Sequence, residues 1–224
     1  MENRVVVITG STGGLGRIAA RAFAEQGASL ALVSTDQDKL DALARDLNLP
    51  AGRILTYAAN LLDPDAVRDA AEAVSAKFGR VDALIHLVGG WTGGKTIAES
   101  AANEFKFMLD QHAWTTIHLL QAFSPKLAAN GWGRVIAVTS PFATNPSAKM
   151  GPFAVGKAAQ ETLLMTLADE FKGTNITANV IQVKSIDMKG TAKGTSPEEI
   201  ISAMLYLCSE AARKVNGVRI PLYD

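Results

Sequence analysis

Seven short apolar runs, near residues 4–9, 29–33, 53–58, 81–87, 133–138, 176–182 and 216–221, alternate with longer segments of helical period. Runs such as Val81 to Val88 and Arg134 to Val138 are apolar at nearly every position rather than at every second one. That composition suits strands covered on both faces, and strands that alternate with helices line up in parallel. The expected fold class is α/β: a Rossmann-type doubly wound parallel sheet, built as a single domain over residues 1–224.

The first run, Val5-Val6-Val7-Ile8, leads into Thr9-Gly10-Ser11-Thr12-Gly13-Gly14-Leu15-Gly16 and then into the alanine-rich, helix-patterned stretch Arg17 to Gly27. Glycines at 10, 14 and 16 let the turn close, let backbone approach a bulky anion and let the helix pack on its strand. The first N–H groups of the helix are free to meet phosphate. A glycine turn alone also serves as an ordinary strand-to-helix connection, so the rest of the chain has to decide.

Composition narrows the class. With 48% hydrophobic residues among 224, the chain can bury a sizeable core. Lys+Arg and Asp+Glu both number 22, giving no net charge and no electrostatic support for a nucleic-acid or membrane-surface partner. The single cysteine, Cys208, lies in an apolar helical segment, which rules out an intrachain disulfide and fits packing in a reducing, cytoplasmic setting. No apolar run approaches the roughly 18 residues that span a bilayer, and the N-terminus shows no export signal. His86, His112 and His118 lack metal-ligand spacing, so no metal is expected.

Asp63-Pro64 and Ser196-Pro197 are good helix openings, with a capping side chain followed by proline at the first helical position. The Gly/Lys/Thr-rich stretch 189–196 is the best candidate for a mobile loop. Helical segments 103–129 and 153–171 are apolar over more of their circumference than one sheet contact requires. The surplus suits either plain burial or a homodimer or homotetramer formed through these two helices.

The spacing Thr-Gly-x-x-x-Gly-x-Gly at Thr9 to Gly16 resembles the cofactor fingerprint of the short-chain dehydrogenase/reductase family. Ser140 after the strand Arg134 to Thr139, Lys157 further on, and Asn179-Val180 on the sixth strand agree with the same family, and the resemblance covers essentially the whole chain. It implies an oxidoreductase of small-molecule substrates using NAD or NADP. The dinucleotide is expected to contact Gly10, Thr12, Gly14, Leu15 and Gly16 at the turn, and Ser34 and Thr35 at the end of the second strand. Asn60, Leu61, Gly89, Lys157 and Ile186 complete the expected cofactor contacts. Ser34 and Thr35 carry neither the acid that selects NAD nor a base that selects NADP, and Asp36 and Arg17 pull in opposite directions.

In that family a serine polarises the substrate, a tyrosine exchanges the proton, and a lysine holds the ribose and lowers the tyrosine pKa. Those roles map onto Ser140, Phe153 and Lys157. A phenyl ring has no ionisable proton, and the tyrosines Tyr57, Tyr206 and Tyr223 all lie outside the Ser140–Lys157 interval. His112, at a helix position usually held by asparagine, is therefore a candidate proton donor as well as a candidate packing residue. Ser140 reads either as a substrate contact or as a turn residue before Pro141, and Lys157 either as a ribose ligand or as a solvated helix lysine.

Gly89-Gly90-Trp91-Thr92-Gly93-Gly94 has a local resemblance to dihydropteridine reductases, as does Gln111-x-x-Trp114-Thr115. Trp91 flanked by glycines can lie against a heteroaromatic ring, so Trp91, Ser140 and Phe153 are the expected substrate contacts. The expected function is an oxidoreductase with an altered site, acting on a ring or conjugated substrate. The alternative is a catalytically silent dinucleotide-binding or scaffold subunit of the same fold.

Overall fold

The computed structural model describes residues 1–223. Strands β1 (Val5–Thr9), β2 (Ser29–Ser34), β3 (Ile54–Ala58), β4 (Ala83–His86), β5 (Gly133–Thr139), β6 (Ile176–Gln182) and β7 (Arg219–Pro221) form one sheet in the order β3-β2-β1-β4-β5-β6-β7. Every neighbouring pair is parallel. The order reverses between β1 and β4, and that is where a doubly wound sheet opens its ligand crevice.

Helices α1 (Gly14–Glu25), α2 (Gln37–Leu47) and α7 (Pro197–Leu207) pack on one face of the sheet. Helices α3 (Pro64–Phe78), α4 (Ala102–Leu109), α5 (Thr115–Asn130) and α6 (Gly151–Glu170) lie on the other side. Alternate strand residues divide accordingly: Val6, Ile8, Leu30, Leu32 and Ile85 meet Phe23, Leu40 and Met204, whereas Val5, Val7, Val33, Leu84 and Val135 meet Val67, Phe123 and Leu164. Both strand faces are thus buried, which is why the runs are apolar throughout. Cys208 closes the apolar end of α7 and is 2% exposed.

The helix boundaries follow local chemistry. Asp63 Oδ1 accepts from the Asp65 and Ala66 N–H groups ahead of Pro64, and Ser196 and Glu199 form a reciprocal capping box around Pro197. Gly79 and Gly131, both left-handed, end α3 and α5. Two strands are shorter than the apolar runs suggest. Asp82 precedes β4 with its buried carboxylate accepting from Val5 N, Arg4 and Arg80, and Asn216 and Gly217 precede β7 with side-chain and backbone bonds to Ala178.

The segment expected as one helix over 103–129 is interrupted by a turn of π-helix, Asp110–Trp114, between α4 and α5. One extra residue in the helical ladder shifts the faces on either side, a device concentrated at functional sites. Here it carries His112 into the interior. Close packing of α6 on this segment depends on Gly156, where a Cβ would stand 2.7 Å from Met108 O and 3.1 Å from His112 Cδ2. No helix of the described residues is long and apolar enough to cross a membrane.

Candidate active site

Two clefts open at the carboxyl ends of the strands, one on each side of the glycine turn. The first, about 210 Å³, is lined by Gly10, Ser34, Thr35, Asn60, Leu61, Val88 and Thr115 among others. Asn60 Oδ1 accepts from Leu62 N, so its amide N–H groups remain for a ligand. Thr12 Oγ1 and Ser34 Oγ are 2.6 Å apart, and Arg17 Nε donates to the backbone carbonyl of Thr12. The Asp36 carboxylate instead caps α2 through Lys39 N and pairs with Lys39 Nζ at 2.7 Å.

The turn itself has room only for glycine at its closest points. A Cβ on Gly16 would lie 2.2 Å from Gly10 O, and one on Gly10 would lie 3.0 Å from the Leu87 carbonyl carbon. At Gly14 the obstacle would be the methyl of Met188, 2.7 Å away, because the loop after β6 reaches back over the turn. α1 begins at Gly14 without an acidic residue in its first turn, leaving N–H groups and a positive helix end unopposed. An uncapped helix start above a glycine-rich turn fits a pyrophosphate.

The second cleft, about 430 Å³, brings together Leu15, Gly89, Gly90, Trp91, His112, Thr139, Phe153, Lys157, Lys184 and Ile186. Trp91 is 61% exposed at its mouth. Lys157 is no solvated helix lysine: it is 7% exposed, and Nζ donates to Val138 O at 2.8 Å and to Gln160 Oε1 at 3.0 Å. Burial pulls its pKa down to about 7, with the charge of Glu161 opposing only in part. Glu161 itself is held by Gln182 Nε2 and Arg219 Nε.

His112 is 1% exposed, with Nε2 donating to Gly90 O at 3.0 Å and Nδ1 buried without a partner among the described residues. Burial first, and the Lys157 charge second, push its pKa to about 3. The ring is therefore neutral, with Nδ1 an acceptor. His86 pairs with its β1 neighbour Thr9, Nδ1 to Oγ1 at 2.8 Å, and its Nε2 faces Thr115 Oγ1 at 3.4 Å. Thr115 donates to Gln111 O, so His86 Nε2 carries the proton and Nδ1 accepts from Thr9. Burial holds His86 at about 3 as well, and it acts as a neutral strut.

Ser140 follows β5 and opens a short turn, Pro141–Ala143, through its carbonyl, which accepts from Ala143 N. Its hydroxyl makes no capping bond, is buried without a partner among the described residues, and stands outside the lining of the second cleft. Thr139, one residue earlier, lines that cleft with an equally unpartnered Oγ1. Asn179 ties β6 to the segment before β7 through Val215 O and Val218 N.

Sequence reasoning missed Gly156, Thr139 and Gln160. Gly156, one residue before Lys157, was the one detectable signal, since a glycine inside an apolar helix marks a close approach.

A parallel sheet with this strand order, a glycine turn at its first strand and clefts at its switch point define a Rossmann-type α/β protein. The family model described as short chain dehydrogenase matches residues 4–199, and the chain belongs to the short-chain dehydrogenase/reductase family of oxidoreductases. It is 25% identical to a 7alpha-hydroxysteroid dehydrogenase of Escherichia coli over 97% of this chain and 91% of that protein. It is 26% identical to a D-threitol dehydrogenase of Mycolicibacterium smegmatis over 97% and 90%. A short chain dehydrogenase structure from Bacillus anthracis superposes with a TM-score of 0.90 at 25% identity, covering 99% of this chain and 95% of that chain.

Proposed function

We propose that this chain is an NAD(P)-dependent oxidoreductase whose site has been rebuilt around a missing phenol, and that it acts on ring or conjugated small molecules. The observation that carries the reading is the convergence of buried Lys157, neutral His112 and the glycine turn on adjoining clefts at the switch point. A bound dinucleotide would supply or accept hydride. Gly10, Gly14 and Gly16 would admit its pyrophosphate, and Asn60 would donate to the adenine. Thr12, Ser34 and Arg17, with Asp36 turned to Lys39, favour NADP over NAD.

Trp91 offers a ring face at the mouth, and the lining from Leu15, Leu87, Val88, Val138, Phe153 and Val183 is apolar. Such a cleft suits a flat, conjugated substrate better than a polar chain. Self-association through α5 and α6 fits the shallow groove of about 340 Å³ that Ile117, Leu120, Pro125, Leu163 and Phe171 line between them. The balanced charge favours neither nucleic acid nor a membrane surface as a partner, and a cytoplasmic setting suits the lone buried cysteine.

Phe153 also supports a second reading, a dinucleotide-binding subunit without turnover, because its ring has no proton to give. Calorimetry with NADPH and NADH, followed by turnover on quinonoid, heteroaromatic and simple carbonyl acceptors, separates the two. Binding with turnover is expected. Binding without turnover supports the silent subunit, and absence of binding removes both readings.

A further inference from the structure

We propose that Lys157 is itself the proton donor of this site, passing a proton from Nζ directly to the substrate atom, while the His112 ring fixes the space in which that atom sits. The proposal rests on the oxidoreductase reading and specifies how its proton balance is met without a phenol.

An ammonium has three N–H bonds. Two are fixed, one on the β5 carbonyl of Val138 and one on Gln160 Oε1, whose amide is itself oriented by a bond from Nε2 to Thr116 Oγ1 at 3.3 Å. The remaining position faces the cleft that Lys157 lines. Across it lies Phe153, with Nζ 6.0 Å from the ring centroid, where a phenol would have intercepted the proton. A Cβ on Gly89 would stand 4.0 Å from Nζ and 3.6 Å from His112 Nδ1. The amine and the imidazole lone pair therefore border one gap, kept open because Gly89 has no side chain.

The titratable groups around that gap do not compete. His112 has its one N–H on Gly90 O and presents a lone pair, so it accepts and does not donate. His86, from β4, has both ring nitrogens engaged by Thr9 and Thr115. Glu161, on α6, is spent on Gln182 and Arg219. Lys184, beyond β6, is exposed at the cleft edge with Nζ over the Tyr223 ring at 5.5 Å. Ser140 keeps its hydroxyl outside the lining. A lysine buried without a carboxylate on its nitrogen titrates near neutrality, the range in which a general acid works best.

A bound reduced dinucleotide would supply hydride to the electrophilic carbon of a C=X group; as the π pair moves onto X, X takes a proton from Nζ. The N–H bond breaks to leave a neutral amine, which water at the cleft mouth reprotonates.

The first test needs no substrate: a pH titration of the lysine Cε resonances by 13C NMR, with Lys157→Arg identifying the signal. A midpoint near 7 is expected, and a midpoint near the ordinary 10.5 overturns the proposal. The second test is kinetic. The wild-type reduction rate falls as pH rises through the same midpoint. Lys157→Arg, assayed at saturating dinucleotide, loses about 100-fold in turnover and loses the pH limb. In Lys157→Ala, added methylamine restores part of the rate, which a merely structural lysine would not allow. If the wild type binds no dinucleotide, the oxidoreductase reading falls and this proposal with it. If the wild type turns over and Lys157→Arg keeps both rate and pH limb, this proposal alone falls.

Discussion

The His112 imidazole meets the Phe153 ring edge to face, with centroids 5.8 Å apart and planes at 85°. Two positions that the family resemblance assigns to asparagine and tyrosine are thus filled by a pair of rings that pack on each other. The contact packs two rings edge to face on the wall of the second cleft.

Phe153→Tyr returns an ionisable hydroxyl to the wall shared with Lys157. Carbonyl reduction is expected to rise by about 10²-fold or more, the ordinary yield of a positioned general acid. Steady-state rates on simple ketones or aldehydes check this. An unchanged rate would mean that the offset position of Ser140, rather than the phenyl ring, limits the chemistry.

Gly14→Ala and Gly16→Ala separate binding from folding at the turn. The first meets only the end of the Met188 side chain, so stability is kept while dinucleotide affinity falls at least about 10-fold through the lost approach. The second drives a methyl into Gly10 O, and stability drops by about 1–3 kcal/mol or more. Urea denaturation with calorimetry distinguishes the two outcomes.

Gly156→Ala pushes α6 away from Met108 and His112. A loss of about 1–3 kcal/mol in urea denaturation is expected, because the obstacle is backbone and cannot swing aside. The same shift displaces Lys157, the next residue, so turnover falls along with stability.

Acid should destabilise the protein through two histidines. His86 and His112 are held at about 3 in the folded chain against 6.5 when free, so the unfolded chain binds more protons between those values. Stability is present in full above about pH 6.5 and is lost as pH falls toward 3, by up to about 1.4 kcal/mol per pH unit for each ring. Lys157 acts in a higher window: its folded value of about 7 lies below the free 10.5, so stability climbs from pH 7 toward 10.5. Urea titrations across both windows check the two slopes. His112→Asn should halve the first, and Lys157→Met should abolish the second.

The strands, the glycine turn and the helix caps were legible because each rests on neighbours in sequence: Val5 to Ile8, Gly10 to Gly16, Asp63-Pro64 and Ser196-Pro197 carry their own instructions. Ser140 and Lys157 were singled out through the family resemblance; Lys157 lines the second cleft, whereas the Ser140 hydroxyl stands outside its lining. The tautomer and burial of His112 were not, because they depend on a π-turn, on Gly156 from another helix and on Gly90 O from a loop. Arg134 makes the same point outside the site: it is 1% exposed, stacked 4.0 Å from the Trp132 ring centroid and bonded to Asn175 O, a burial that no local pattern announces.

The burial of Cys208 has a practical consequence. Its thiol is pushed up to about 12 and is buried at the end of α7, so the native chain presents thiol-directed reagents with almost no thiolate. One cysteine introduced at Trp91 or Met188 would then be the sole point of attachment for a fluorophore or spin label. Opening and closing of the cleft mouth could be followed in solution on the otherwise wild-type background.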